Sequence, residues 1–561
     1  MNLLPRFLQA ITQFSSPQKY LLPFLLWTWI PFGCAPEYDL VIRQGMVYDG
    51  TGQPPFIADV AVKSDMIAAI GPAISGKGHA EIDARGMAVA PGFINVLSWA
   101  YHPLLRDGRS MSNIKQGVTL EIFGEGSSPG PFNPDKAPYE YLTFGENMAY
   151  LEEKGVACNI ASFVGATTIR EYVIGPADRA PTDEELQLMQ SLVARSMQEG
   201  ALGLGTSLIY PPAFFATTRE LIALSEAAAA HGGLYISHLR SEGDQFLEAV
   251  AELLTIAKEA NIPAEIYHLK ASGEQNWHKI DQVIALIQEA NQSGLCITTN
   301  MYNYTAASTG LSACMPPWCQ DGGKGRWLAR LNSPNERKKI IADMEGPSEN
   351  WENFLKLSKD PDNILLLGFD QDSLRYLTGK TLQEVASERG MRPAETIVSL
   401  IRANNGDIST AYFLMAEENL EKQMKLPYMS FGSDARSIAA EGDMLLSMTH
   451  PRTYGNFARL LGRYVREKQI LSLEEAIHKL TLLPAQKFHI AQRGSLQKNY
   501  FADIVVFDAA TITDRADYAS PHQYAEGVLH VWVNGEAVLM QGEHTGARPG
   551  KFVKGPGYVL P

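Results

Sequence analysis

The sequence predicts an α/β protein: a (β/α)8 TIM-like barrel with a small β-sandwich domain built from both chain ends. Three observations lead there. Strand-like and helix-like stretches alternate for about four hundred residues in the middle of the chain, which is βα repetition. Short strands broken by Gly turns fill the region from Pro36 to about Pro91, in YDLVIRQGMVYDGTG, ADVAVKSDMIAAIGP and HAEIDARGMAVAPGF. The same texture returns in GSLQKNYFADIVVFDAA and GVLHVWVNGEAVLMQGEH near the end. The expected boundaries are an export-type signal over 1–34 and sandwich over 35–90. The barrel follows over 91–485, with a lid-like insertion at about 312–363, and the rest of the sandwich occupies 486–561.

The first segment does not read as globular. Arg6 and Lys19 precede the apolar run YLLPFLLWTWIPFGCA, from Tyr20 to Ala35. The run is short for a bilayer span and holds Pro23 and Pro31, which argues against a stable transmembrane helix. A basic flank, a short apolar core and a small residue before a cleavage point make an export signal. Gly33-Cys34-Ala35 also resembles a bacterial lipoprotein cleavage site, with Cys34 as the lipidated residue, although Pro31 and Phe32 depart from the usual pattern. The expectation is an exported protein of the periplasm or cell envelope, with any membrane attachment made through the N-terminus alone. An apolar helix packed on the domain is the alternative.

A chain of 561 residues can bury a large core and hold more than one domain. Its net charge of −14, with no Lys/Arg-rich run, argues against a nucleic-acid partner. Five cysteines in this length are no disulfide scaffold. Cys158 and Cys296 lie in apolar runs and read as core; Cys314 and Cys319 flank Met-Pro-Pro-Trp and read as loop residues, with a disulfide as the other option.

The centre of the chain carries the chemistry. YISHLRSEG around His238 and EIYHLKASG around His268 are each a short apolar run ending in His, Leu and a cation, Arg240 or Lys270. Side chains alternate along a strand, so His238 and Arg240 are expected to share one face, as are His268 and Lys270. Between them FLEAVAELLTIAKEANIPA has helical apolar spacing and stops at Asn261-Ile262-Pro263. Residues at the C-terminal ends of parallel barrel strands are where catalytic groups gather. Two buried histidines with satisfied hydrogen bonds would be the plain alternative for either one alone. The repeated pattern favours a metal or catalytic site.

These stretches, with AVAPGFINV, QGVTLEIFGEG, GALGLGTSLIYPP, FGSDA, HPRTYG and ADIVVFD, follow the order found in the amidohydrolase superfamily. From about Tyr38 onward the chain resembles the N-acyl-D-amino-acid deacylase (D-aminoacylase) family. The resemblance implies a metal-dependent barrel hydrolase cleaving the amide of an N-acyl amino acid, with the D configuration resting on that likeness alone. Two departures matter. Where the family carries His-x-His after its first barrel strand, this chain has Leu97 and Trp99, with His102 out of register, so one of two metal positions is expected to be missing. Where the family has Asn-Cys, with the Cys as ligand, this chain has Glu125-Gly126. Glu125 is the expected replacement and Glu121, on the same strand face, its competitor; a plain turn role between Gly124 and Gly126 is the alternative.

The resemblance also implies that Asp434 moves a proton from water to the departing nitrogen, a task one positioned carboxylate can serve in both directions; a helix N-cap is the other use for Ser433-Asp434. It makes Arg452 the anchor for the substrate carboxylate, a guanidinium being suited to bidentate pairing, with Lys270 and Tyr210 as further contacts. Tyr302 and Tyr304 are expected inside the barrel or at its end. The expected cofactor is one divalent metal, zinc, on Glu125, His238 and His268, polarising the amide and lowering the pKa of bound water to ~7. The rival readings are a dipeptidase or cyclic amidase on the same barrel, and an inactive envelope binding protein. A serine hydrolase lacks its Gly-x-Ser-x-Gly elbow.

Overall fold

The computed structural model describes residues 36–135, 141–348 and 350–560. The apolar N-terminal run and Cys34 therefore lie outside the described residues. Among those described, no helix is long and apolar enough to cross a membrane.

The chain opens with β1 Tyr38–Val47, β2 Phe56–Lys63, β3 Met66–Gly71, β4 Gly78–Asp83 and β5 Ala88–Pro91. Seven barrel staves follow: β6 Phe93–Asn95, β7 Val118–Phe123, β8 Asn159–Ser162 with β9 Val164–Gly165, β10 Gly203–Ser207, β11 Leu234–His238, β12 Ala264–Ile266 and β13 Ile297–Met301. An excursion carries β14 Ala306–Gly310, β15 Ile364–Gly368 and β16 Ser409–Phe413. The eighth stave is β17 Met429–Phe431, and β18 Ile504–Phe507, β19 Val528–Val533, β20 Glu536–Met540 and β21 Glu543–His544 close the chain.

The two ends share one nine-stranded sheet in the order β21-β20-β19-β18-β5-β1-β2-β3, with β4 on β1. Its seam is the antiparallel pair β18–β5, Ile504 opposite Pro91 and Phe507 opposite Ala88. One apolar cluster joins Val47, Val60 and Val89 from the front of the chain to Ile504, Val506 and Trp532 from the back. Neither end could bury its apolar face alone.

In the barrel, β6-β7-β8 and β9-β10-β11-β12-β13-β17 run parallel. Phe163 interrupts the third stave between β8 and β9. The ring closes where Ser98 bridges Ala435 and the Asp434 amide donates to the Leu97 carbonyl at 2.9 Å. Every residue of β11, LYISH, is buried, as expected of a parallel strand covered on both faces. The helix Phe246–Glu259 after it buries Phe246, Ala249, Val250, Leu253, Ile256 and Ala257, a stripe at helical spacing. Each buried Leu or Ile in such a stripe contributes about 1.5–3 kcal/mol. The helix ends before Asn261, which takes φ 47° and turns the chain into Pro263.

The insertion is longer than the 312–363 stretch read from the sequence. It spans the antiparallel sheet β14-β16-β15 and the helices Gly323–Asn332, Pro334–Glu345, Leu382–Arg389 and Pro393–Asn404. Its first two helices were missed because their buried stripes are narrow: Trp327 and Leu331 on one, Ile340 and Met344 on the next. Cys314 and Cys319 are free and buried, so no disulfide joins them. Cys158 is a core residue, but Cys296 is exposed just ahead of β13.

Candidate metal centre and active site

Glu125, His238 and His268 meet at the C-terminal mouth of the barrel. Glu125 follows β7 by two residues, His238 ends β11, and His268 follows β12 by two. Glu125 Oε1 lies 3.0 Å from His238 Nδ1 and 2.9 Å from His268 Nε2. Glycines flank Glu125 because the chain is pressed against its neighbours. A Cβ on Gly124 would stand 2.4 Å from the Phe163 carbonyl, and one on Gly126 2.6 Å from Ser207 Cβ.

His268 is held in a left-handed conformation, φ 32°, which costs on the order of 1–3 kcal/mol for a non-glycine residue. A buried polar chain fixes it there. Asn300 Oδ1 accepts the His268 amide at 2.8 Å, Asn300 Nδ2 donates to Glu265 at 2.7 Å, and Lys487 pairs with Glu265 at 2.6 Å. Since β12 stops at Ile266, the simple alternation expected to put His268 and Lys270 on one strand face does not apply. The same holds at β11: Arg240 turns away onto Glu252 and the carbonyls of Phe214 and Ala216.

Behind the histidines stands Glu242, fully buried. Its Oε1 lies 3.1 Å from His268 Nδ1 and its Oε2 3.7 Å from His238 Nε2, on the side of each ring away from Glu125. Lys270, expected as a substrate contact, is committed here instead: Nζ donates to Glu242 at 2.6 Å and sits 2.7 Å from His268 Nδ1. Burial opposes charge on Glu242, but Lys270 and the two imidazoles hold its carboxyl down at about 2. Burial likewise opposes charge on Glu125, yet His268 and His238 keep it well below the usual carboxylate range. Burial and Lys270 push His268 down, Glu242 and Glu125 pull it up, and the balance lies at about 9. His238, chiefly desolvated, is shifted downward.

The cage fits a divalent cation. Its ligand atoms all lie within 4.8 Å of one another, and two histidines with one carboxylate are a known catalytic zinc set. His238 Nε2 and Glu242 Oε2 are both buried without a hydrogen-bond partner, facing each other. Metal-ligating histidines commonly give their far ring nitrogen to such a carboxylate.

Beside the cage, Asp434 also takes a left-handed conformation, φ 48°, at the turn after β17. No helix starts there, so it is no N-cap. Trp99 Nε1 donates to its Oδ1 at 2.9 Å, and Arg452 Nη2 pairs with its Oδ2 at 2.9 Å. The Arg452 guanidinium lies 4.3 Å above the Tyr302 ring, and its Nε and Nη1 are buried without partners. His450 steadies it, accepting the Arg452 amide through Nδ1 at 3.0 Å. Tyr210 packs edge-on against His238, ring centroids 5.4 Å apart, and Tyr302 and Tyr304 are buried. A small recess between Tyr210 and the insertion is lined by Ile209, Met315, Trp351 and Phe354 among others.

Glu121 is not a ligand. It lies deeper along β7, bonded by Ser98 at 3.2 Å and Ser437 at 2.9 Å, and burial pushes its carboxyl up to about 7. His102 is exposed on the helix Tyr101–Arg106, outside the cage. Glu242 escaped the sequence reading, although it stands four residues after His238 in SHLRSEG. Glu352 was missed as well. It accepts the Glu242 amide at 2.9 Å from within the insertion, and burial next to Glu242 raises its carboxyl to about 8. Nothing in the local pattern marked it.

A family model described as "Amidohydrolase family" matches residues 438–539. A D-aminoacylase of Alcaligenes xylosoxydans xylosoxydans is 32% identical over 534 residues, covering 92% of this chain and 97% of its own. The chain belongs to the D-aminoacylase family of amidohydrolases. Among solved family structures, an N-acyl-D-glutamate deacylase from Bordetella bronchiseptica, in complex with zinc and a phosphonate mimic of the tetrahedral intermediate, superimposes with a TM-score of 0.78. It is 28% identical and covers 92% of this chain and 99% of its own. A D-aminoacylase structure concerned with one-metal activation and second-metal attenuation of a binuclear centre gives a TM-score of 0.77 at 29% identity, over 92% of this chain and 100% of its own. Like these relatives, this member of the family is a TIM barrel with a β-sandwich.

Proposed function

We propose that this chain hydrolyses the amide bond of N-acyl-D-amino acids with one divalent ion, zinc, held by Glu125, His238 and His268. The observation that carries the proposal is the buried cage of three ligand atoms, all within 4.8 Å of one another. Bound there, the ion supplies a Lewis acid for the scissile carbonyl and for the attacking water. The rest falls to the chain. Glu242 and Lys270 hold the two imidazoles from behind. Arg452 offers its two unpartnered N–H donors, Nε and Nη1, to the free carboxylate of the substrate. Drawn towards that carboxylate, the guanidinium leaves Asp434 Oδ2 free to accept a proton from water. Asp434 then delivers the proton to the amide nitrogen, so the C–N bond breaks to give a free amine and a carboxylic acid. The D configuration is taken from the relatives, a D-aminoacylase and an N-acyl-D-glutamate deacylase.

The test is metal content and turnover of the purified full chain on matched N-acetyl-D- and N-acetyl-L-amino acids, with dipeptides and hydantoins alongside. The expected result is about one zinc per chain and activity on the D series, both lost in Glu125→Ala and His268→Ala. A chain that takes no metal after refolding with zinc would be a binding protein. Preference for a dipeptide or hydantoin would move the substrate class to a sister amidase.

We further propose export to the cell envelope through the segment from Arg6 to Cys34, with Cys34 as a lipid anchor. Labelled palmitate incorporated into the wild type, and not into Cys34→Ala, is the expected outcome; a cytoplasmic unlabelled chain would refute it.

A further inference from the structure

Trp99 has no part in the reaction as described, yet it touches the proton carrier directly. After β6 the chain runs through Val96, Leu97 and Ser98 to Trp99, whose amide donates to the Ala435 carbonyl at 2.9 Å. This pins it beside Asp434. Trp99 is 41% exposed, yet its indole N–H is turned to a protein acceptor rather than left to solvent. The indole N–H donates to Asp434 Oδ1 at 2.9 Å. Arg452 takes Oδ2. An indole N–H can donate but has no lone pair for a metal, and Leu97, buried one turn of chain away, has no donor atom at all.

We propose that Trp99 is a positioning residue for Asp434, its indole N–H fixing the carboxylate so that no second metal binds beside it. The role in turnover rests on the hydrolase activity proposed above; the exclusion of a second ion does not. Arg452 is the partner that moves when substrate binds, whereas Trp99 stays. Oδ1 therefore remains tethered throughout, and Oδ2 is the oxygen that carries the proton. Loss of the N–H leaves Oδ1 without the donor that fixes the carboxylate.

The experiment compares the full-length wild type with Trp99→Phe, which keeps an aromatic ring and loses the donor. Zinc is titrated into metal-free protein and bound metal counted after dialysis. The wild type is expected to hold one equivalent and no second even in excess zinc. In Trp99→Phe, kcat is expected to fall about tenfold with KM little changed, the pattern of a lost charge-assisted hydrogen bond to the proton carrier rather than to the substrate. A third readout needs no turnover: the Trp99 indole N–H resonance, assigned by its absence in Trp99→Phe, is expected to shift in Asp434→Asn. A second tightly held zinc in the wild type would overturn the proposal. So would an indole resonance indifferent to Asp434→Asn, or a wild-type kcat in folded Trp99→Phe. If the wild type cleaves no N-acyl-D-amino acid, the hydrolase proposal fails, while zinc stoichiometry and the resonance still decide the role of Trp99.

Discussion

Glu242→Gln probes the support of the metal cage rather than the cage itself. One carboxylate serves three groups: His268 Nδ1 at 3.1 Å, His238 Nε2 at 3.7 Å and Lys270 at 2.6 Å. Gln keeps the shape but offers one acceptor and one donor, so it can satisfy His268 or His238 in the ligating tautomer, not both. Support residues of this kind are worth about 10–100-fold in metal affinity, or about 1.4–2.7 kcal/mol. Because one of the two histidine contacts is already long, the expected loss is about 30-fold, near the middle of that range. The substitution also leaves the Lys270 ammonium buried without its anion, a break that typically costs about 3–5 kcal/mol of stability. The two effects separate in the double variant Glu242→Gln/Lys270→Met, where stability should recover while zinc affinity stays low. Competition with a chromophoric chelator gives the affinity and urea unfolding of the metal-free chain gives the stability. A zinc affinity within twofold of wild type in folded Glu242→Gln would show that Glu242 serves Lys270 alone.

Arg452→Lys exchanges a planar fork for a point charge and should lower kcat/KM by about 10–100-fold, chiefly through KM, the loss expected for one charged hydrogen bond; initial rates over a substrate series decide it. Glu121 gives a pH signature. Its folded pKa, about 7, lies above the ordinary 4.5, so the stability gained by keeping it protonated is present below 4.5 and lost as pH rises through 7. Glu121→Gln should therefore gain about 3 kcal/mol relative to wild type between pH 4.5 and 8, at 1.36 kcal/mol per pKa unit. Urea unfolding of both proteins across that window measures it, and a constant difference would refute it. The fully buried pair Arg170–Glu220, 2.7 Å apart, predicts that Arg170→Met destabilises by about 3–5 kcal/mol and that adding Glu220→Gln restores most of it; the same unfolding assay checks both.

The meeting of the two histidines was legible because each closes a short apolar run, and a barrel brings strand ends together whatever their separation in sequence. Glu125 was legible only as a substitution within a resembled motif. The structure separates it from Glu121 by depth: Glu125, two residues beyond β7, faces the histidines, whereas Glu121 within β7 is enclosed by serines. Lys270 was expected by resemblance to reach substrate; the structure instead pairs it with Glu242, a residue the sequence did not single out, and sets it 2.7 Å from His268 Nδ1. Glu352 and the outer half of the insertion lie in segments where charge dominates and a narrow apolar stripe carries the packing. Such contacts depend on where distant segments land, which no local pattern records.

The shared sheet has a consequence for how the protein must be made. Strand β5 leads directly into the barrel, yet its partner β18 begins only at Ile504. Until the last part of the chain arrives, β5 presents an unpaired, fully apolar edge, Ala88–Pro91, the kind of edge that recruits foreign strands. The pairing is among the most distant in sequence that the fold contains, and such contacts form slowly. Truncation before Ile504 would therefore do more than remove a peripheral sheet. It would leave the entrance to the first barrel stave open to aggregation, and the metal cage with no settled frame to hold it.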